Sequence, residues 1–172
     1  VQTCALPIWE LVRAHHAKQM ISRVAWSPDG ARLAIGGTSG GVYLWDEQDQ
    51  VVALEGHTEC ILCMVWHPTE SKLATCSDDK TTRVWNLDYM SCKIYLNFAA
   101  IWCMMWSPAG PITVGMSMDD RIEVRACEDG VVLQSFVWDT ELWGIDWSRA
   151  SNPLATSDDE DWFATAGARS EE

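Results

Sequence analysis

His57, Ser77, Asp79 and Trp85 are the residues whose types and spacing first suggest chemistry. An imidazole, a hydroxyl and a carboxylate this close in sequence are the raw material of a catalytic or metal-binding histidine site. The stretch that holds them, Gly56 to Asn86 (GHTECILCMVWHPTESKLATCSDDKTTRVWN), is otherwise built of apolar strands and tight turns. In that setting the four are first of all groups that must be satisfied. A buried imidazole needs partners on both ring nitrogens, and a buried carboxylate needs donors. A chain from the Trp85 indole N–H to Ser77, on to His57 and then to Asp79 in the turn meets every need at once. His57 is therefore expected to be a strut.

Other reactive side chains lead to the same conclusion. Cys60-Ile-Leu-Cys63 has redox-motif spacing, but residues three apart on a strand face opposite ways. No second Cys or His pair sits at zinc spacing, so no metal is expected. The run Asp158-Asp159-Glu160-Asp161 is expected to be a solvated acidic turn rather than a cation site. There is no GxSxG elbow, no HExxH and no Gly-rich phosphate loop. No enzyme activity and no cofactor are expected.

Composition narrows the class further. The 172 residues are 48% apolar and carry a net charge of −13. That charge argues against a phosphate-binding surface, so no direct nucleic-acid partner is expected. No uncharged apolar run approaches the roughly 18 residues of a membrane span, so no membrane insertion is expected either. Of seven cysteines, Cys60, Cys63, Cys76, Cys103 and Cys127 fall in apolar strand patterns as small hydrophobes. Such usage suits a reducing compartment, cytoplasmic or nuclear.

The elements that must position these residues repeat. Trp26, Trp66, Trp106 and Trp147 recur at intervals of 40, 40 and 41 residues. Turns containing proline follow three of them (SPDG, HP and SPAG), and Leu-Ala comes seven residues after Trp26, Trp66 and Trp147. The strands before the anchors, ILCMVW and IWCMMW, are continuous apolar runs, as strands covered on both faces are. Together with Gly56-His57, the Asp78-Asp79 turn, Trp85-Asn86 and Trp45-Asp46, this pattern resembles the WD40 repeat. The resemblance implies an all-β partial propeller of about four four-stranded blades, where such rings commonly close with about seven. The blades fall at about 18–55, 56–96, 97–136 and a truncated 137–168. Terminal blades of so few would leave uncovered apolar faces.

What the family implies can be carried over position by position. His57, Ser77, Asp79 and Trp85 match its structural tetrad, which ties the segment leading into a blade to its second and third strands. Partial tetrads keep Ser39 and Trp45 in the first blade, where His15 or His16 could serve as the leading histidine. In the third blade Ser117 and Asp119 are kept, while Asn97 replaces His and Arg125 replaces Trp; Arg125 could donate to the network or snorkel out. Top-face contacts in the family map onto Met20, Ser22, Cys60, Leu62, Ala100, Trp102, Glu141 and Trp143. The turn positions map onto Thr38, Asp78, Met118 and Asp158. Trp102 and Trp143, flanked by Met118, Asp78 and Glu141, have the make-up of a binding hot spot that favours Lys- or Arg-bearing ligands, the competing role being packing between blades. The function implied is a non-catalytic protein-interaction scaffold, or else the targeting propeller of a larger enzyme, ubiquitin-ligase or chromatin-corepressor complex. The turns SMDDRIEVRACEDG, DKTTRVW and LWDEQDQVVALEGH are similar to those of the transducin β-like corepressor subunits, over about two blades.

The ends stand apart from this pattern. Residues 1–8, VQTCALPI, are what the end of a common short-read sequencing adaptor encodes, and residues 169–172, RSEE, match its reverse complement in frame. The repeat-bearing segment is therefore expected to span residues 9–168, and 1–8 is too short and lacks the basic start of a signal peptide.

Overall fold

In a computed structural model, residues 20–107, 112–117 and 121–137 are described. They form twelve strands in three separate four-stranded antiparallel meanders, each running in chain order from its first strand to its fourth. The first blade comprises β1 (Ile21–Trp26), β2 (Arg32–Gly37), β3 (Val42–Asp46) and β4 (Val51–Leu54). The second comprises β5 (Ile61–Trp66), β6 (Lys72–Ser77), β7 (Thr81–Asn86) and β8 (Ser91–Leu96). The third comprises β9 (Ile101–Trp106), β10 (Ile112–Ser117), β11 (Arg121–Ala126) and β12 (Val132–Val137). The architecture is all-β and is a partial propeller, as the repeat period requires. Among the described residues no helix is long and apolar enough to cross a membrane.

Local chemistry sets the turns. Between β1 and β2, Ser27 accepts from the backbone of Arg32, and Gly30 supplies a left-handed residue at φ 72°. Between β5 and β6 the buried His67 does the same work, its Nδ1 accepting from the backbone N–H groups of Thr69 and Glu70. Each first strand carries the same irregularity: the pairing slips between Ile21 and Arg23, between Ile61 and Cys63, and opposite Ile101 and Cys103. The extra residues are Ser22, Leu62 and Trp102, one per blade and 40 positions apart.

The core lies between blades. Ala34, Val42, Leu44 and Leu54 of the first blade meet Ile61, Met64, Leu73 and Trp85 of the second. Ala74, Cys76 and Val84 on the other face of the second blade meet Ile101, Met104 and Trp106 of the third. The second sheet is thus covered on both sides, which is why ILCMVW has no polar alternation. The repeating tryptophans stitch the blades together. Trp66 Nε1 donates to the carbonyl of Ala25 at 2.9 Å, and Trp106 Nε1 to that of Val65 at 3.0 Å. Trp26, the first of the series, is 64% exposed on the face of β1 that no described sheet covers.

Close approach of the blades depends on Gly36. A Cβ there would lie 2.8 Å from Ile61 Cγ2, a branched side chain at the centre of the first interface. Gly36→Ala is expected to destabilise the fold by about 1–3 kcal/mol through overpacking. Urea denaturation measures it, and an unchanged midpoint contradicts so tight an approach.

Candidate binding rim and its buried support

The central network assembles around a buried histidine. His57 Nδ1 lies 2.7 Å from Asp79 Oδ2, and its Nε2 lies 2.8 Å from Thr75 Oγ1. Trp85 Nε1 donates to that same Thr75 oxygen at 2.9 Å. The Asp79 carboxylate can only accept, so the neutral ring donates from Nδ1, leaving Nε2 to accept the Thr75 hydroxyl proton while the Thr75 oxygen accepts from the indole. Asp79 also accepts from the backbone and hydroxyl of Thr81 and from the backbone of Thr58. Every polar atom of the chain has a partner.

The bridging hydroxyl is therefore Thr75, where the sequence pointed to Ser77. Both lie on one face of β6, two residues apart. The pairing of Trp85 with Leu73 places the indole within reach of Thr75. Ser77 instead donates to the carbonyl of Glu59 at 2.9 Å and accepts from the backbone of Asp79 at 3.2 Å. It holds the turn, not the ring. The signal that could have found Thr75 is its position directly opposite Met64 and Arg83, one step along the face from the Leu73–Trp85 pair.

The other two blades solve the same position differently. The residue equivalent to Thr75 in the first blade is Ile35, which has no hydroxyl to offer. The Trp45 indole donates to Asp49 Oδ1 at 3.0 Å in its own β3–β4 turn, and Ser39 is exposed in the β2–β3 turn. In the third blade Gly115 stands at that position, and Arg125 folds back on Glu123, with Nη2–Oε2 at 2.5 Å. Arg125 neither snorkels out nor rebuilds the chain: its side chain is 12% exposed. Glu123 is a buried carboxylate the sequence analysis did not single out. Asn97, at the histidine position, donates to Thr82 Oγ1 at 3.0 Å, and its amide oxygen is buried without a partner.

The network supports a rim. The backbone N–H of Asp78 donates to the carbonyl of Cys60, and that of Thr38 to Met20, each at 3.0 Å. These bonds fix the β2–β3 and β6–β7 turns against the segments leading into their blades. Ser22 Oγ donates to the carbonyl of Ile61 at 2.8 Å, and Arg23 Nε to that of Leu62 at 2.6 Å, joining neighbouring blades along the same rim. Thr38 and Met20 are exposed; Ser22, Cys60, Leu62, Asp78 and Trp102 are half-buried; Ala100 is buried. Phe98, absent from the sequence-based set, is 83% exposed on the same loop, with the Arg121 guanidinium 5.8 Å from its ring centre. Met118, Asp119, Glu141, Trp143, Asp158, His15, His16 and the fourth blade lie outside the described residues, as do residues 1–8 and 169–172. The backbone of Ser117 pairs with Ile101 in β10.

Burial depresses the His57 pKa below 6.5, and Asp79 opposes the shift only in part. For Asp79 burial alone would raise the value, but hydrogen bonds from Thr81 and then His57 outweigh it and hold it below 3.8. No group of three or more candidate metal ligands occurs among the described residues. Cys76 is buried, Cys60, Cys63, Cys103 and Cys127 are half-buried, Cys92 is exposed, and all six are free thiols. Burial pushes Cys63 up to about 11, so it is a packing group at neutral pH.

Two predictions follow from this network. Thr75→Val orphans the Trp85 indole and one His57 nitrogen together, and is expected to cost at least about 1–3 kcal/mol in denaturant unfolding. An unchanged midpoint would show that Thr75 is not the bridge. The second concerns acid. With a folded-state value below 6.5, His57 contributes stability that is complete above pH 6.5 and declines as pH falls toward the folded value. The Asp79 contribution is complete above pH 3.8 and is lost through its own depressed value. Denaturation midpoints should fall as the pH drops below 6.5, and His57→Gln should flatten that decline. A slope identical in the variant assigns the titration elsewhere.

Comparison with known proteins agrees with this geometry. The WD domain, G-beta repeat family matches residues 7–46 and 48–86. The Denticleless protein homolog of Danio rerio is 39% identical over 66 residues, 36% of this chain and 10% of that protein. Protein transport protein SEC13 of Chaetomium globosum is 28% identical over 111 residues, 56% of this chain and 38% of that protein. Nuclear distribution protein PAC1 of Komagataella phaffii is 42% identical over 72 residues, 38% of this chain and 14% of that protein. The matched segments thus span between a tenth and about two-fifths of these relatives. Repeating tryptophans, three meander sheets in one period and two family repeats in tandem agree: the chain carries WD40 repeats at residues 7–46 and 48–86.

Proposed function

We propose that this chain is a non-catalytic interaction propeller that captures segments of other proteins on the rim carrying the β2–β3 and β6–β7 turns. The observation that carries the proposal is the set of bulged residues Ser22, Leu62 and Trp102, repeated every 40 positions at one end of the first strands. A bulge re-aims its side chain out of the ladder. Leu62 and Trp102 are half-buried, as anchors seated on a rigid frame are, and Phe98 adds a second aromatic. Asp78 and Glu59 beside them favour Lys- or Arg-bearing ligands.

The relatives support the class and leave the partner open. Their names speak of protein transport, nuclear distribution and, for a Drosophila melanogaster protein 30% identical over 84 residues, actin interaction. What such proteins share with this chain is the frame. An intracellular location in cytoplasm or nucleus fits free thiols at Cys76, Cys60 and Cys92.

Selection of a random peptide library on the immobilised chain is the test. Peptides rich in Lys or Arg are expected, with binding weakened about tenfold or more by Trp102→Ala and by Asp78→Asn at unchanged thermal stability. Binding that survives both substitutions moves the site off this rim. If Trp102→Ala instead melts the chain, its ring is core.

A further inference from the structure

The opposite end of the blades carries a second cleft, and it lies where the two described interfaces differ in one turn residue. In the second interface the His67 ring packs edge-on against Trp106, with centroids 4.7 Å apart and planes at 69°. His67 fills the space between the β5–β6 turn and the third blade. The residue 40 positions earlier is Ser27, and the tryptophan it faces is Trp66. Serine is too small to cover that ring. A cleft of about 510 Å³ remains between the two turns, walled by Trp66, Pro28 and Pro68 and flanked by Arg32, Ser71 and Thr69.

Its charges are unequal in their commitments. Asp29 is already held by the Ser27 hydroxyl at 2.5 Å and the Ala31 backbone at 3.0 Å, bonds that keep its carboxyl below 3.8. Glu70 is paired with the Lys72 ammonium at 2.5 Å, which lowers its carboxyl likewise. Arg32 spans the cleft to the Ser71 hydroxyl at 3.3 Å; its charge also acts on Asp29, but no described carboxylate lies within ion-pair distance of it. Lys72, the equivalent cation of the next blade, has Glu70. The cleft therefore offers an aromatic wall, two prolines and a guanidinium outside any ion pair, whose fork suits an oxyanion.

We propose that this cleft docks an acidic peptide segment of a partner protein, with an Asp or Glu carboxylate on Arg32 and its neighbouring apolar side chain against Trp66. The site is independent of the rim at the other end of the strands. It also asks for the opposite charge, so one chain can hold a basic and an acidic partner segment at once.

The test uses the full chain carrying Trp102→Ala and Asp78→Asn, so that the other rim is silenced. A random displayed peptide library is selected on it. Recovered peptides are expected to share an Asp or Glu. In titrations with the labelled peptide, Arg32→Gln should weaken binding about tenfold, the loss of one charge-assisted pair. Replacing the acidic residue by its amide should do the same. Ser27→His should abolish binding while leaving Arg32 in place, because the imidazole fills the cleft and keeps the acceptor the turn needs, as His67 does. Recovery of no peptide, a neutral or basic consensus, or equal affinity for Arg32→Gln overturns the proposal. If Ser27→His fails to fold, Arg32→Gln and the amide peptide still decide it.

Discussion

A neutral imidazole buried between two sheets must be satisfied on both nitrogens, and much of the second blade is arranged to do this. Without Thr75 and Asp79, His57 would cost several kcal/mol to bury. With them it ties together three parts of the blade that no ladder joins: the segment leading into it, the second strand and the β6–β7 turn. The rim is a consequence. Asp78 sits beside Asp79, and Cys60 accepts from its backbone, so the outward groups inherit the rigidity of an inward network. A binding surface on turns is precise only when something buried holds the turns.

The blades themselves are joined by a different device. Trp66 and Trp106 each hand an indole proton to a carbonyl of the preceding first strand, filling the interface and satisfying a backbone group at once. This device is kept at both described interfaces, whereas the histidine network is complete in only one of the three described blades. The contrast has a physical cause. A tryptophan between blades needs just an apolar slot and a carbonyl. The histidine chain needs four side chains present together, and losing one makes the rest a liability. The first blade has accordingly become apolar at Ile35 and sent its Trp45 indole to Asp49. The third has exchanged the chain for the Glu123–Arg125 pair, whose desolvation cost makes it a tolerable filling more than a source of stability.

How much of this was legible in the sequence depended on range. The fold was readable because a tryptophan period repeated four times, proline turns after three of those anchors and continuous apolar strands are all local signals. The partners of His57 were readable as types but not as atoms. Thr75 and Ser77 are both hydroxyls on one face of β6, and only the register against Trp85 chooses between them. The fate of Arg125 was not readable at all, because it turns on Glu123 two residues away along the same face of β11, a neighbour that matters only once Gly115 has vacated the space opposite. The equivalence of Ser22, Leu62 and Trp102 was readable by phase, and the bulge recurs at these three positions 40 residues apart. Phe98 was missed because it lies on the loop between blades, where the period carries no strand pattern.

The same variation between repeats that empties one network can create a site elsewhere. Serine follows the anchor tryptophan in three of the four repeats, as Ser27, Ser107 and Ser148, and His67 is the exception. The exchange costs little, because the serine hydroxyl accepts from the Arg32 backbone and closes the turn as the imidazole of His67 does. What differs is only the volume of a ring: His67 covers Trp106, while beside Ser27 one face of Trp66 stays open next to Arg32. Individuality in such a frame comes from exchange at tolerant positions, and those positions lie at the turns, where the backbone's needs can be met by more than one side chain.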